Sequence, residues 1–357
     1  MFSKNNIKNL KIKNRIVLPP MVIFNYLEED GFVSAEHVNH YEERARGGIG
    51  LIIVEATCVN ANGRLAGNQL RLWSDKHIVE ISKIVKACHN HGAKVIVQIH
   101  HAGLKTVPSS STDIVAPSIY EEKSNQKNSG LSARSLTITE LHELQNDFVD
   151  AALRAKKAGA DGVELHGAHG YLISQFLSPL INKREDSYGG NLINRTRFTT
   201  EIITGIREVT GKDFMIGCRM GCNEPDLKTS IEIAKEFEKA GADLLHVSIG
   251  FDMTPSELPV VPEEFKHNWV VYGGTEIRRN VNIPVIVVNG IKTPEQASDL
   301  IKNDQADFVA VGRSLLVDPE WVNKAQQTLP IKPCLNCKIC QWFKTGKSCP
   351  GKTSSIS

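Results

Sequence analysis

The sequence predicts a (β/α)₈ barrel. One local unit recurs along the chain: an amphipathic helix, a glycine and a short apolar run. It reads "YEERARGGIGLIIVEA", "KACHNHGAKVIVQIHH", "ALRAKKAGADGVELH" and "AKEFEKAGADLLHVS". Each apolar run is continuous rather than alternating, which suits strands of a parallel sheet buried on both faces. The chain has 357 residues, 41% of them hydrophobic. That is ample for a large core and long for one compact domain unless the domain is a barrel.

The strands follow in order. "NRIVLPPM" opens the barrel, and the four units above supply strands two, three, four and six. "FMIGCRM", "IPVIVVNG" and "ADFVAVGR" supply strands five, seven and eight. The glycines stand where helices commonly end. The helix expected from about 141 to 158 shows the other half of the unit. Thr137 and Glu140 form a T-x-x-E capping box, and Leu141, Leu144, Phe148, Ala152 and Ala155 make its apolar stripe. Eight such units favour a barrel over an open doubly wound sheet, and no G-x-G-x-x-G follows any strand.

Two segments depart from the repeat. A polar stretch at about 102–137 follows the third strand and is expected to form a lid over the barrel mouth. A cysteine-rich tail, 329–357, follows the barrel, 1–328. A formal net charge of +2 gives no electrostatic footprint for nucleic acid. No stretch approaches the roughly 20 apolar residues of a membrane span, and the beginning of the chain lacks a signal-like apolar run, so a cytoplasmic location is expected.

Chemistry in such barrels sits at the C-terminal ends of the strands. Those ends offer Pro20 and Met21, then Glu55 and Ala56, Gln98, His166 and His169. Arg219, His246 and Ser248, Asn289 and Gly290, and Gly312 and Arg313 complete the set. Glycines after strands seven and eight let backbone N–H groups approach an anion, so a phosphorylated ligand is expected there, with Arg313 as its charge partner. Gln98 both donates and accepts while Arg219 only donates, so together they can read the edge of a polar heterocycle.

His166 and His169 admit three roles: zinc ligands, structural histidines, or donors to a substrate oxygen. Zinc needs a third protein ligand, for which Cys218, Glu55 and His246 are the strand-end candidates. With Tyr171, the two imidazoles form an oxyanion and proton-donor set.

The stretches "LKIKNRIVLPPM", "GLIIVEATCVN", "VQIHHAG", "DGVELHGAHGYLISQFLSPLINKREDSYGGNLINRTRF" and "VAVGRSLLVDPEW" resemble the Old Yellow Enzyme family of FMN-dependent oxidoreductases. The paired histidines and the late cysteines are similar to the branch that includes 2,4-dienoyl-CoA reductase and bacterial ene-reductases. The resemblance implies FMN across the barrel mouth, with its phosphate at Asn289, Gly290, Gly312 and Arg313. Gln98 would read the pyrimidine edge and Arg219 would face N1 and O2. Backbone groups of Pro20, Met21 and Ala56 would meet the ring. It further implies NADH or NADPH as reductant and a small molecule with an activated alkene as substrate. His166 and His169 would hold the substrate's carbonyl oxygen and Tyr171 would supply a proton. The charges of "NKREDSYGGNLINRTRF" are expected to be structural pairs supporting the neighbouring loop. Val22 departs from the family's usual Thr or Cys donor to flavin O4, and Phe24 from a substrate-side tyrosine. The branch also carries further flavin and nucleotide domains after its cysteines. The chain given stops at Ser357, so that electron route is expected to be absent from it.

The tail reads C-x₂-C-x₂-C-x₈-C-P through Cys334, Cys337, Cys340 and Cys349. In a reducing compartment this spacing points to one metal centre, a [4Fe–4S] cluster or a Cys₄ zinc. The second and third gaps are shorter than in the branch's own motif. A cluster here would need a separate electron donor or would pin the tail. The alternatives to an ene-reductase are a zinc-dependent barrel hydrolase and a non-enzymatic flavin or metal protein. The sequence leaves a homo-oligomer open.

Overall fold

Eight parallel strands close into a barrel: Ile16–Leu18, Leu51–Cys58, Lys94–His100, Gly162–Gly167, Met215–Gly221, Leu244–Ser248, Val285–Val287 and Phe308–Ala310. They are the eight runs expected from the sequence, in the same order. The structure, a computed structural model, describes residues 1–23, 31–107, 113–121, 132–251, 258–342 and 349–353. Phe24 lies outside the described residues.

Side chains alternate across each strand, so every second residue points into the barrel. Val17, Leu51, Ile53, Ile96, Met215, Leu244, Ile286 and Phe308 form one buried apolar cluster. Ile7 and Ile12 join it from an antiparallel hairpin, Asn5–Ile7 and Leu10–Ile12, which the sequence reading did not anticipate. The intervening residues, such as Ile52, Val54, Val95 and Val97, belong to a second, larger cluster that includes the helix faces.

Above the apolar floor the same alternation brings in polar residues. Gln98 pairs in register with Glu164, and Arg219 with both His166 and His246. A register shift between Val54 and Thr57 interrupts the second strand.

The helix Ile138–Lys157 starts on the expected capping box: Glu140 N donates to Thr137 Oγ1 at 3.3 Å, and Thr137 N donates to Glu140 Oε2 at 2.8 Å. The insertion after the third strand carries a small three-stranded sheet of Val115–Ala116, Ser132–Ser135 and Tyr120–Glu121. Arg184 fastens it. Its guanidinium donates to the carbonyls of Pro117 (2.8 Å) and Leu136 (2.6 Å) and pairs with Asp186. The charged run after the fourth strand thus supports the insertion.

The tail folds back on the barrel. Trp342 is buried against His40, with ring centroids 5.6 Å apart, and Lys332 N donates to Asp318 Oδ2 at 3.0 Å. Among the described residues, no helix is long and apolar enough to cross a membrane.

Candidate active site

One cavity opens at the C-terminal ends of the first, fifth, seventh and eighth strands. Pro20, Met21, Arg219, Asn289, Gly290, Gly312 and Arg313 all line it, together with Lys292 and Ser314, which the sequence reading missed. Asn289 and Gly290 take consecutive positive φ values of 108° and 74°, and Gly312 packs so that an added Cβ would stand 3.3 Å from Met21 Sδ. A short helix, Arg313–Val317, begins at Gly312, and its first N–H groups have no acceptor within the helix. Arg313 Nη1 also donates to Asn336 Oδ1 of the tail at 3.1 Å.

Arg219 is nearly buried. Its Nη2 donates to Ser248 Oγ at 3.2 Å, while its Nε and the Ser314 Oγ have no hydrogen-bond partner among the described residues. Burial lowers the Arg219 pKa to about 10, which leaves it cationic at neutral pH. A cationic fork with an unmatched donor, beside a glycine-lined strand-end cradle, fits a planar heterocycle carrying negative charge and a phosphate. FMN meets that description.

Two of the expected ring contacts also bond within the protein. Gln98 Nε2 donates to Glu164 Oε1 at 2.7 Å, and Glu164 Oε2 is 2.9 Å from His246 Nδ1. These three form a buried polar layer beneath the mouth. The carbonyl of Ala56 accepts from Gln69 Nε2 at 2.9 Å.

His166, His169 and Tyr171 come together. The ring centroids of His166 and His169 lie 5.1 Å apart, and that of Tyr171 lies 4.8 Å from His166 and 6.4 Å from His169. A fully buried His100 completes the group, 4.5 Å from the Tyr171 ring and 5.5 Å from His166. The cluster connects to the cavity through Ser248, whose Oγ lies 2.8 Å from His169 Nε2 and accepts from Arg219.

A hydroxyl oxygen has two acceptor lone pairs, so Ser248 Oγ takes the Arg219 N–H and still pairs with His169 Nε2 in either tautomer of the imidazole. The Nδ1 of His166 has no partner among the described residues. Burial, the largest cause, holds both imidazoles well below the usual histidine range, and the Arg219 charge adds to it. They are neutral at pH 7 and each carries a single N–H. Burial raises the Tyr171 phenol above its ordinary value, so it keeps its proton.

No zinc ligand set assembles on the histidines. Glu55 is turned toward the helix Ala35–Arg46, with Oε1 2.7 Å from His37 Nε2 and Oε2 accepting from Ile23 N at 3.0 Å. His246 is held by Glu164, and Cys218 packs in the outer apolar cluster. Among the described residues, no group of three or more His, Cys, Asp or Glu side chains could hold a metal ion, at the histidines or in the tail. Cys334, Cys337, Cys340 and Cys349 are half-buried free thiols. As placed, they do not form the four-thiolate set expected from their spacing.

The NADH:flavin oxidoreductase / NADH oxidase family profile matches residues 1–332, ending just before Cys334. The chain is 45% identical over 350 residues to an NADH oxidase of Thermoanaerobacter brockii, covering 95% of this chain and 53% of that protein. It is 40% identical over 330 residues to an NADPH dehydrogenase of Halalkalibacterium halodurans, covering 91% of this chain and 93% of that protein. In structure it is similar to 2-naphthoyl-CoA reductase, with a TM-score of 0.85 at 24% identity over 96% of this chain and 55% of that one. An Old Yellow Enzyme homologue from Zymomonas mobilis follows, with a TM-score of 0.79 at 24% identity over 94% of each chain. The chain thus spans about half the length of the T. brockii enzyme and of the naphthoyl-CoA reductase.

Proposed function

The chain belongs to the NADH:flavin oxidoreductase / NADH oxidase family, the Old Yellow Enzymes, and on that premise we propose that it is an FMN-dependent NAD(P)H oxidoreductase acting on activated carbon–carbon double bonds. The carrying observation is the hydrogen-bonded link from Arg219 in the cavity through Ser248 to His169, beside His166 and Tyr171.

FMN, when bound, supplies hydride transfer, from the nicotinamide donor to the substrate's β-carbon. Asn289, Gly290, Gly312 and Arg313 would hold its phosphate, Pro20 and Met21 would meet its ring, and Arg219 would balance the charge of its reduced form; all line the same cavity. Gln98 would read its pyrimidine edge through the amide oxygen that the bond to Glu164 leaves over, and Ala56 would meet the ring through its backbone. The neutral His166 and His169 donate to the activating carbonyl oxygen of the substrate. They strengthen as that oxygen gains negative charge, because an N–H bond to a charged acceptor is about twice as strong as one to a neutral one. Tyr171 gives its proton to the α-carbon: the O–H bond breaks, the new C–H bond forms, and the electron pair stays on the phenol oxygen until solvent returns a proton. Enones, enoates and thioesters of the 2,4-dienoyl-CoA type all fall within this substrate class.

The test is anaerobic turnover of 2-cyclohexenone, a maleimide and a dienoyl thioester with NADH and with NADPH, each product identified. Flavin-loaded protein that oxidises nicotinamide in air but saturates none of these alkenes would contradict the proposal.

The division into a barrel, 1–328, and a tail, 329–357, is part of the same reading. It is supported by the end of the family match at 332. The tail's spacing suits one metal centre, but its thiols as placed do not gather, and no step of the reaction is assigned to it. Anaerobic metal and sulfide analysis beside a four-serine variant decides its content. About four irons and four sulfides per chain mark a cluster, and one ion without sulfide marks zinc.

A further inference from the structure

We propose that Lys105, carried by the insertion, is a positioning residue that fixes the turn presenting His169 and Tyr171 and lies against the proton donor; this rests on the reading of Tyr171 above. Lys105 ends the short turn Gly103–Lys105 that follows the third strand. Its Nζ donates to the carbonyl of His169 at 2.8 Å. The same ammonium stands 5.5 Å from the centroid of the Tyr171 ring.

The turn needs holding. His169 and Gly170 take successive left-handed φ values of 60° and 68°. A residue with a Cβ is strained there and stays only where its surroundings over-determine it. On one side His169 N donates to the carbonyl of Ile249 at 3.0 Å. On the other side Lys105 takes the carbonyl of the same residue. The ammonium lies close over the turn: a Cβ at Gly170 would stand 3.1 Å from Lys105 Nζ and 2.9 Å from Phe251 Cδ2. The insertion therefore sets where the chain passes from His169 to Tyr171.

The charge adds a second effect. When Tyr171 gives up its proton, the ring becomes a phenolate beside a cation, and a cation near an aromatic face favours the electron-rich form. The other groups facing the ring are His100, His166 and His169, which burial keeps neutral, and Arg219, whose charge also favours the phenolate. Lys105 is the cation that the insertion brings.

Lys105→Met keeps the stem and removes the charge and the donor, and Lys105→Arg keeps both. With flavin-loaded protein, Lys105→Met is expected to lower the ratio of alkene reduction to nicotinamide oxidation about tenfold. It should also raise the solvent deuterium isotope effect on alkene reduction, because protonation becomes slower. Affinity for 4-hydroxybenzaldehyde, read from its charge-transfer band, should fall about tenfold, or 1.4 kcal/mol. Lys105→Arg should return each quantity to within about threefold of the parent, a tolerance well inside that tenfold step. A Met variant with parental ratio, isotope effect and affinity would overturn the inference, as would an Arg variant that fails to rescue. Tyr171→Phe, run in parallel, separates the two readings. If it reduces alkenes at the parental rate, the role of Tyr171 fails. If it is slow while Lys105→Met is not, only the role of Lys105 fails.

Discussion

Replacing Tyr171 with phenylalanine removes one oxygen from the site and little else. The ring's contacts with His100 and His166 are available to phenylalanine, so the change in stability should stay below about 1 kcal/mol. The chemistry should change much more. Burial raises the phenol's pKa above its ordinary value of 10.0, so the donor is protonated across the physiological range. Without it, water is the remaining acid, with a pKa of about 15.7. From the ordinary value the gap is about 5.7 units and burial narrows it, so a Brønsted coefficient near one half predicts a loss on the order of 10²–10³-fold, in the lower part of the 10²–10⁴-fold range for a general acid. Anaerobic stopped-flow experiments read the two half-reactions separately. Flavin reduction by nicotinamide should stay within a few-fold of the parent, and reoxidation by 2-cyclohexenone should slow by that factor. A strongly electrophilic nitroalkene, whose reduced anion leaves without being protonated, should be spared. An unchanged enone rate would remove Tyr171 from the mechanism, and equal slowing of both half-reactions would make its role structural.

The other expectations follow from the same geometry. Replacing His166 and His169 together with alanine removes two hydrogen bonds to a charged oxygen, each worth about 1.5–3 kcal/mol, so phenolate affinity should fall about 10²–10⁴-fold; a retained charge-transfer band would contradict the assignment. Val22 is half-buried next to Met21 of the cavity, and Val22→Thr should raise the flavin potential by offering a donor where valine has none; a flat or lowered potential would mean the side chain does not face the flavin. Stability should fall on acidification. Burial depresses His100 to about 3 and His101 to about 4, so below about pH 6.5 the unfolded chain binds protons that the native chain refuses, costing about 1.4 kcal/mol per pH unit for each. Glu224, raised by burial to about 8, opposes this between about pH 8 and 4.5, because only its native form holds a proton there. Burial holds His40, His166, His169 and His246 low as well, so urea midpoints from pH 7 to 5 should drop more steeply than His100 and His101 alone require even after the offset from Glu224, and His100→Phe should flatten the drop by about one proton; an unchanged slope would refute the assignment.

The barrel was legible because its strands are apolar on both faces, and runs such as "LIIVEA" and "KVIVQI" announce this without help from their neighbours. The hairpin Asn5–Ile7 and Leu10–Ile12 was not, since "NNI" and "LKI" each bring one fully buried residue to the barrel floor and no periodicity. The small sheet in the insertion has the same excuse. At the site, His166, His169 and Tyr171 were found because strand order puts them at the mouth. Arg219 and the glycines of the last two strands were found in the same way. Gln98 was assigned a ligand-reading role without its cross-strand neighbour. Glu164 stands two residues before His166 and so shares its face, which was readable, but its pairing with Gln98 depends on register between two strands. Lys105 was invisible for a similar reason: its partner is a backbone carbonyl 64 residues away. The cysteine spacing spoke for a metal, while among the described residues no group of three or more such ligands gathers.

The account stands on a flavin at the end of strands one, five, seven and eight. The most direct measurement is the absorption spectrum of the protein purified with added FMN, followed by denaturation and quantitation of the released cofactor. The expected result is a yellow protein holding about one FMN per chain, whose visible band bleaches on anaerobic addition of NADH or NADPH. Arg219→Ala should release the flavin or shift its potential downward. A colourless protein that takes up no FMN, with the fold intact by circular dichroism, would contradict the account.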